Sequence, residues 1–393
     1  MPKLNRPKRR SIAFQLFLVL VSVVVVSIGV TWSISPIDPV GWQSQPAPAL
    51  IGNYEPNGRL ANIDRLSVPN GPEDVAVNPA GDIITGVSDG RLMRVTLGES
   101  PEVFAQLGGR PLGMDWHPDG RLIVCVADVG LVAVAEDGTT EIILSRYNGA
   151  DLKFLDDVDV ADDGTIYVTE ATNRFSYADW KLDIIESRGS GRLFRIAPDG
   201  GVTVLMHDLH FANGVAVAND QSYVLVVETS RYRVRRLVLG DTPSSATLID
   251  NLPGFPDGIS NAGDDTFWLT IASPRNRLMD LLSGVGGARR LIGSMPKELL
   301  PAPQNVAHVM RLSASGVILQ NLDDRSESAL GMITNAEQVG GNLYLGSLHG
   351  GQIGVYHLSD EEADPQGDAD ASGEPVGNRA PTPEADGSGD AQE

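Results

Sequence analysis

Short apolar runs separated by polar turns fill most of this chain, and they recur in a fixed order. Six times a short motif leads into a β-strand, a turn rich in glycine or polar residues and a second strand. The units open at Gly71 (GPEDVAVNPAGDIITGVSDGRLMRV), Gly109 (GRPLGMDWHPDGRLIVCVADVGLVAV) and Phe154 (FLDDVDVADDGTIYVTEAT, closed later by GRLFRI). Three more open at Phe211 (FANGVAVANDQSYVLVVETSRYRVRRL), Phe255 (FPDGISNAGDDTFWLTIASPRN) and Met332 (MITNAEQVGGNLYLGSLHGGQIGVYHL). Turns such as Pro79-Ala80-Gly81 and Pro118-Asp119-Gly120 join neighbouring strands as hairpins do. A four-stranded unit repeating every ~40–45 residues is the habit of propellers, whose radially stacked blades cover both faces of each sheet. A solenoid fits less well, because no capping repeat follows the sixth unit. The pattern predicts an all-β, six-bladed β-propeller over residues 59–358, with a strand in 59–68 paired into the sixth blade to close the ring.

A different pattern precedes the repeats. Lys3, Arg6, Lys8, Arg9 and Arg10 lead into Ile12 to Val30, which holds no charge and fourteen Ile, Leu, Val or Phe residues. At ~0.3–0.6 kcal/mol each, these favour bilayer insertion by ~4–8 kcal/mol before polar costs. The run is long for a cleaved signal and no Ala-x-Ala site follows. A single transmembrane signal-anchor is therefore expected at 11–32, with a basic cytoplasmic N-terminus at 1–10 and the propeller extracytoplasmic (periplasmic in a bacterium). Residues 33–58, with five prolines, read as a semi-rigid stalk. Residues 359–393 lack Ile, Leu, Phe, Trp and Tyr and read as an acidic disordered tail. Two inserts interrupt the repeat. Residues 174–190 add aromatic and charged groups to the third blade. Residues 274–305 read as a helical lid, a membrane contact or a packing helix.

Charge narrows the function. The chain carries a formal charge of −21, which repels nucleic acid and suits a cation or cationic ligand. The single cysteine, Cys125, lies in an apolar run and reads as a buried small hydrophobe.

Propeller blades bring equivalent strand positions to one height around the axis. The residue two before the central apolar position of each first strand is Glu73, Leu112, Asp156, Asn213, Asp257 and approximately Thr334. Four of these, Glu73, Asp156, Asn213 and Asp257, come from separate blades and bring a carboxylate or amide oxygen. Three carboxylates converging on an axis repel one another unless a cation sits among them. Oxygen ligands without histidine or cysteine point to a hard ion, Ca2+ before Mg2+ or another divalent ion. Each such residue taken alone is also an ordinary turn former.

The ordered motifs GPEDVAV, GRPLGM, FLDDVDV, FANGVAV, GFPDGIS and NLYLGSL resemble the strictosidine-synthase-like proteins. These belong to a wider superfamily of calcium-dependent propeller lactonases that includes gluconolactonase, paraoxonase and the senescence-marker proteins. The resemblance covers about residues 60–358. It implies a central calcium at one mouth of the ring, with Glu73, Asp156, Asn213 and Asp257 at the metal-ligand positions. Asp156 stands where hydrolytic relatives carry asparagine. Leu112 stands where paraoxonase-like enzymes carry histidine. Glu337 lies near the last-blade glutamate with which plant strictosidine synthases condense an amine and an aldehyde.

The expected function is a membrane-anchored, Ca2+-dependent hydrolase of lactones or esters. In it the ion polarises a carbonyl and Asp257 serves as the catalytic carboxylate. Two alternatives are an amine–aldehyde condensing enzyme and a non-enzymatic tethered propeller with structural calcium. Leu112, Asp128, Glu170, Glu228 and Glu337 are candidate substrate contacts. Asp128 could equally cap a turn, and Glu228 could equally pair with the arginines that follow it.

Overall fold

The computed structural model describes residues 9–359 and Glu362. Most of the basic N-terminus (residues 1–8) and the acidic tail beyond Ser359, apart from Glu362, lie outside the described residues. Six four-stranded antiparallel sheets form the blades of a propeller. Their inner strands are Val75–Val77, Pro111–Trp116, Leu155–Val160, Ala212–Val217, Gly254–Asn261 and Ile333–Val339. The early strand Asp64–Ser67 pairs with the last, Gln352–His357, with Asp64 opposite Val355. One blade is thus built from both ends of the repeat region, which closes the ring as the sequence predicts.

Packing between blades explains the apolar alternation. Ala76 and Ile84 of the first blade bury against Met114, Val124 and Val132 of the second. Leu112 and Cys125 of the second bury against Phe154, Val168 and Phe194 of the third. Each such aliphatic or aromatic side chain contributes roughly 1.5–3 kcal/mol when fully buried. Cys125 is fully buried, and desolvation pushes its thiol pKa up, so it is an inert core residue.

Helix α1 (Arg9–Ser33) occupies the place of the expected transmembrane span. Its described apolar side chains, Phe14 to Val21 among them, are exposed. Even so, among the described residues no helix is long and apolar enough to cross a membrane. Several positions that would complete an unbroken span, such as Val24 and Ile28, have side chains outside the described residues.

The first insert folds into α2 (Trp180–Glu186), and the second into α3 (Arg277–Leu282) and α4 (Gly286–Gly293). The proline-rich segment does not stand free as a stalk. Ile37 is buried against Phe175, Leu182, Ile185 and Leu300. Trp42 packs on Tyr232 with ring centroids 5.9 Å apart. Farther on, Asp323 Oδ1 accepts the amides of Asn57 and Gly58 at 2.7 and 2.9 Å.

Candidate functional site

The inner strands do not run straight past the axis. Their register breaks between Leu155 and Val158, between Ala212 and Val215, and between Pro256 and Ile259. A bulge sets two residues opposite one and turns a side chain away from the ordinary strand face. The bulged pairs are Asp156-Asp157, Asn213-Gly214 and Asp257-Gly258, so three of the four expected ligands sit on them. Glu73 precedes the strand of its blade, and its amide donates to Gly86 O at 3.4 Å.

All four, Glu73, Asp156, Asn213 and Asp257, line the floor of one cavity together with Thr334. The cavity measures ≈ 980 Å³ with the open space at its mouth included. The same residues also border a smaller void deeper in the channel, beside Asp74 and Asp157. The cavity walls are apolar. Phe154 meets Phe211 edge-on at 5.6 Å and Tyr177 at 5.5 Å. Trp180 and Ile184 of α2 and Met279 of α3 complete the wall.

Burial sets the electrostatics of the floor. Desolvation, offset by Arg110, pushes Glu73 up to about 7. Desolvation and then the Glu73 charge hold Asp156 and Asp257 well above the usual carboxylate range. The side chain of Asn213 beside Asp257 partly opposes that rise. Glu73 Oε2 and Asp156 Oδ2 are buried with no hydrogen-bond partner, the nearest cation to Glu73 being Arg110 Nε at 3.9 Å. Among the described residues, no group of three or more His, Cys, Asp or Glu stands close enough together to hold a metal ion. The donor chemistry nevertheless fits a hard divalent ion: oxygen only, three carboxylates and one amide, with two oxygens unsatisfied.

A second ring of acids lies deeper in the channel and has a structural role. Asp74 Oδ2 accepts Met114 N at 2.6 Å, and Asp115 Oδ2 accepts Val160 N at 2.8 Å. Asp159 Oδ2 accepts Val217 N at 2.6 Å. Each carboxylate ties one blade to the next. Burial raises their pKa values, against the pull of these amide bonds.

None of the five candidate substrate contacts borders the cavity. Leu112 is fully buried in the core between the second and third blades. Asp128 is an exposed turn residue at φ 61°, its amide donating to Lys153 O. Glu170 is buried and accepts Arg192 Nε at 2.6 Å. Glu228 is buried and accepts Arg233 Nε at 2.6 Å, with Arg235 at 3.5 Å, which is the ion-pair alternative. Glu337 lies in the channel near Asp157 and Asp159, where desolvation raises it to about 8.

Sequence reasoning missed the aromatic wall, although its signal was present. Phe154, Phe211, Phe255 and Met332 each stand two residues before Asp156, Asn213, Asp257 and Thr334. The signal is the repeat itself rather than strand alternation, since Phe211 and Met332 take left-handed φ of 56° and 51°. All four apolar residues border the same cavity as the polar ones they precede.

Comparison with known proteins decides the family. The strictosidine synthase model matches residues 156–242, and the model of the strictosidine synthase-like N-terminal region matches residues 52–95. An Adipocyte plasma membrane-associated protein of Salmo salar is 32% identical over 345 residues, covering 80% of this chain and 82% of the relative. Protein STRICTOSIDINE SYNTHASE-LIKE 6 of Arabidopsis thaliana is 32% identical over 322 residues, covering 80% and 85%. The chain belongs to the strictosidine-synthase-like family. Solved propellers share the fold of this strictosidine-synthase-like chain at low identity. A gluconolactonase of Xanthomonas campestris superposes with a TM-score of 0.55 at 17% identity, covering 82% of this chain and 97% of the other. A regucalcin of Agrobacterium tumefaciens, described as a calcium-binding protein, superposes at 0.53 and 14% identity, covering 77% and 94%.

Proposed function

We propose that this strictosidine-synthase-like propeller is a membrane-anchored, divalent-metal-dependent hydrolase of lactones or esters. The observation that carries the reading is the floor of the cavity. Four blades bring three carboxylates and an amide to it, and two buried carboxylate oxygens there lack any partner. Glu73, Asp156, Asn213 and Asp257 would hold the ion, Ca2+ first. Bound there, the ion supplies Lewis-acid polarisation of a carbonyl.

The chain's own residues do the rest. Phe154, Phe211, Tyr177 and Trp180 exclude water from the walls and orient the apolar part of a substrate. An ionised carboxylate oxygen of Asp257 takes the proton from the water whose oxygen bonds the carbonyl carbon, and returns it to the alkoxide oxygen released when the acyl C–O bond breaks. Its neighbour Asn213 lines the same floor and favours its ionised form. Glu337 does not border the cavity, which disfavours the condensing chemistry that would depend on it. The apolar, exposed α1 and the plasma membrane-associated names of several relatives support the anchor.

The test is metal analysis of the purified full chain in detergent, followed by an ester and lactone panel with and without chelator. Calcium-dependent turnover that Asp257→Asn abolishes, with folding intact, supports the reading. A chain that binds no divalent cation in calcium-replete buffer overturns it.

A further inference from the structure

Insert 274–305 carries a surface that the cavity does not explain. Leu278 (53%), Leu281 (75%), Val285 (50%) and Leu299 (68%) are large apolar side chains left in the open. Isolated exposed apolar residues are ordinary, but four in so short a segment mark a contact surface. Arg275, Arg277, Arg289, Arg290 and Lys297 stand against Asp280 and Glu298, a net charge of +3 in a chain of −21. Little of that charge is free, because Arg275 and Arg289 are buried on backbone carbonyls, Arg290 pairs with Asp38 and Lys297 pairs with Asp179, so the apolar side chains carry the argument.

Its neighbours say which surface. The end of α1 packs directly on α4. The guanidinium of Arg290 lies 5.2 Å from the centre of the Trp32 ring. A methyl group on Gly287 would stand 2.8 Å from Trp32 Cζ3, and Ser35 Oγ donates to Arg290 O at 2.9 Å. Two residues on, Ile37 lies against Gly293. If α1 is the anchor, Trp32 is its residue at the membrane–water interface, the level that tryptophan prefers. A helix touching Trp32 is at that level too.

We infer that the 274–305 insert rests on a lipid bilayer at the level of its headgroups. Its apolar side chains enter the headgroup region, with the exposed Arg277 beside them. This rests on the anchor reading of α1, and it goes further. Asn276, Met279 and Pro301 to Gln304 of the same insert line the cavity, so the rim of the site lies at the membrane surface.

The experiment uses the full chain in nanodiscs of phosphatidylcholine and phosphatidylserine that carry a headgroup-level spin-labelled lipid as quencher. A polarity-sensitive fluorophore is placed on one introduced cysteine at a time. Fully buried Cys125 does not compete for the label. The variants are Leu281→Cys, Leu299→Cys, Val103→Cys on an exposed outer strand, and Val19→Cys in α1 with a deep-lipid quencher. The expected result is loss of fluorescence at 281 and 299 with none at 103. Emission at 281 and 299 as bright as at 103 overturns the inference. With 19 quenched, that result leaves the anchor standing. With 19 unquenched, it removes the anchor as well. Loss at 281 that appears only when two chains share a disc assigns the surface to a second copy, and also overturns it.

Discussion

The carboxylate of Asp157, on the third blade, accepts the amide of Val215, on the fourth, at 2.9 Å, while its other oxygen accepts the amide of Val158 at 2.9 Å. Similar bonds cross the other blade boundaries in this layer. Thr229 Oγ1 donates to Pro256 O at 2.7 Å, Ser260 Oγ donates to Ala336 O, and Thr334 Oγ1 donates to Glu73 O at 2.6 Å. The ring is therefore sewn shut directly beside the cavity floor. The positions of the expected ligands depend on how closely adjacent inner strands approach.

Gly214 shows how little slack the approach has. A Cβ there would stand 2.5 Å from Ile259 N and 2.7 Å from Asp257 O, both backbone atoms of the next blade. Gly214→Ala is expected to cost about 1–3 kcal/mol, the range for overpacking a site that cannot relax. The urea midpoint should fall accordingly. Gly341→Ala, with nothing within 4 Å, serves as the control and should move the midpoint little.

The pairs Glu170–Arg192 and Glu228–Arg233 predict a different signature. Both glutamates are fully buried, and each accepts an arginine Nε at 2.6 Å. Removing one partner strands a buried charge, at a cost of about 3–5 kcal/mol. Arg192→Met should lower the melting temperature strongly, and adding Glu170→Leu should recover most of the loss. Failure of the second change to recover stability would mean that Arg192 acts through its packing over Tyr147 and Phe194.

The ring and its closure were legible because both depend on periodicity. Hydrophobic alternation marks strands, and six ordered repeats leave one way to bury both faces of each sheet. The convergence of Glu73, Asp156, Asn213 and Asp257 on one cavity was legible for the same reason, since equivalent residues of a repeat share a height. The five candidate substrate contacts were not, because the outcome turns on direction. Glu170 and Glu228 end the second strands of their blades, Ile166–Glu170 and Tyr223–Glu228, yet each turns to an arginine one strand outward, Arg192 and Arg233, which cross-strand pairing sets opposite. Leu112 occupies the ligand slot of the second blade, but an aliphatic side chain there gains more from the core than from the channel. The docking of residues 33–58 was hidden too. Prolines signal stiffness, and nothing local says which surface Ile37 will find.

Asp183 links the cavity-facing α2 to pH. It is fully buried, Ser190 Oγ donates to its Oδ2 at 3.2 Å, and Oδ1 has no partner. Desolvation, with the Glu186 charge adding to it, pushes its pKa up to about 7. Because the folded pKa lies above the unfolded one, the unfolded state ionises first, and folding stability falls as pH rises from about 4 to about 7. Asp183→Asn removes this penalty while keeping an oxygen acceptor. Its gain should be near zero at pH 4, grow to a few kcal/mol (order of magnitude) by pH 7 and level off above. Melting curves across that range test it, and a gain independent of pH would assign the effect to packing.

Asp156 offers the sharpest test of a cation at the floor, because the two states predict opposite signs. With no ion, Asp156 shares a buried site with Glu73 and Asp257, and each raises the cost of ionising it. Asp156→Asn removes one charge from that crowd, so in chelator at pH 8 the variant should melt above the parent. With calcium present, Asp156 is the third carboxylate ligand, and its loss weakens the ion's hold. Ligand binding to the folded state adds RT ln(1 + [L]/Kd), about 2.7 kcal/mol at a hundredfold excess over Kd. A variant with tenfold weaker affinity forfeits about 1.4 kcal/mol of that. The calcium-induced rise in melting temperature should therefore be smaller in Asp156→Asn than in the parent, from a higher starting point. Equal shifts in both chains, or none in either, would place the cation elsewhere and leave the crowded acids of the floor without a purpose in hydrolysis.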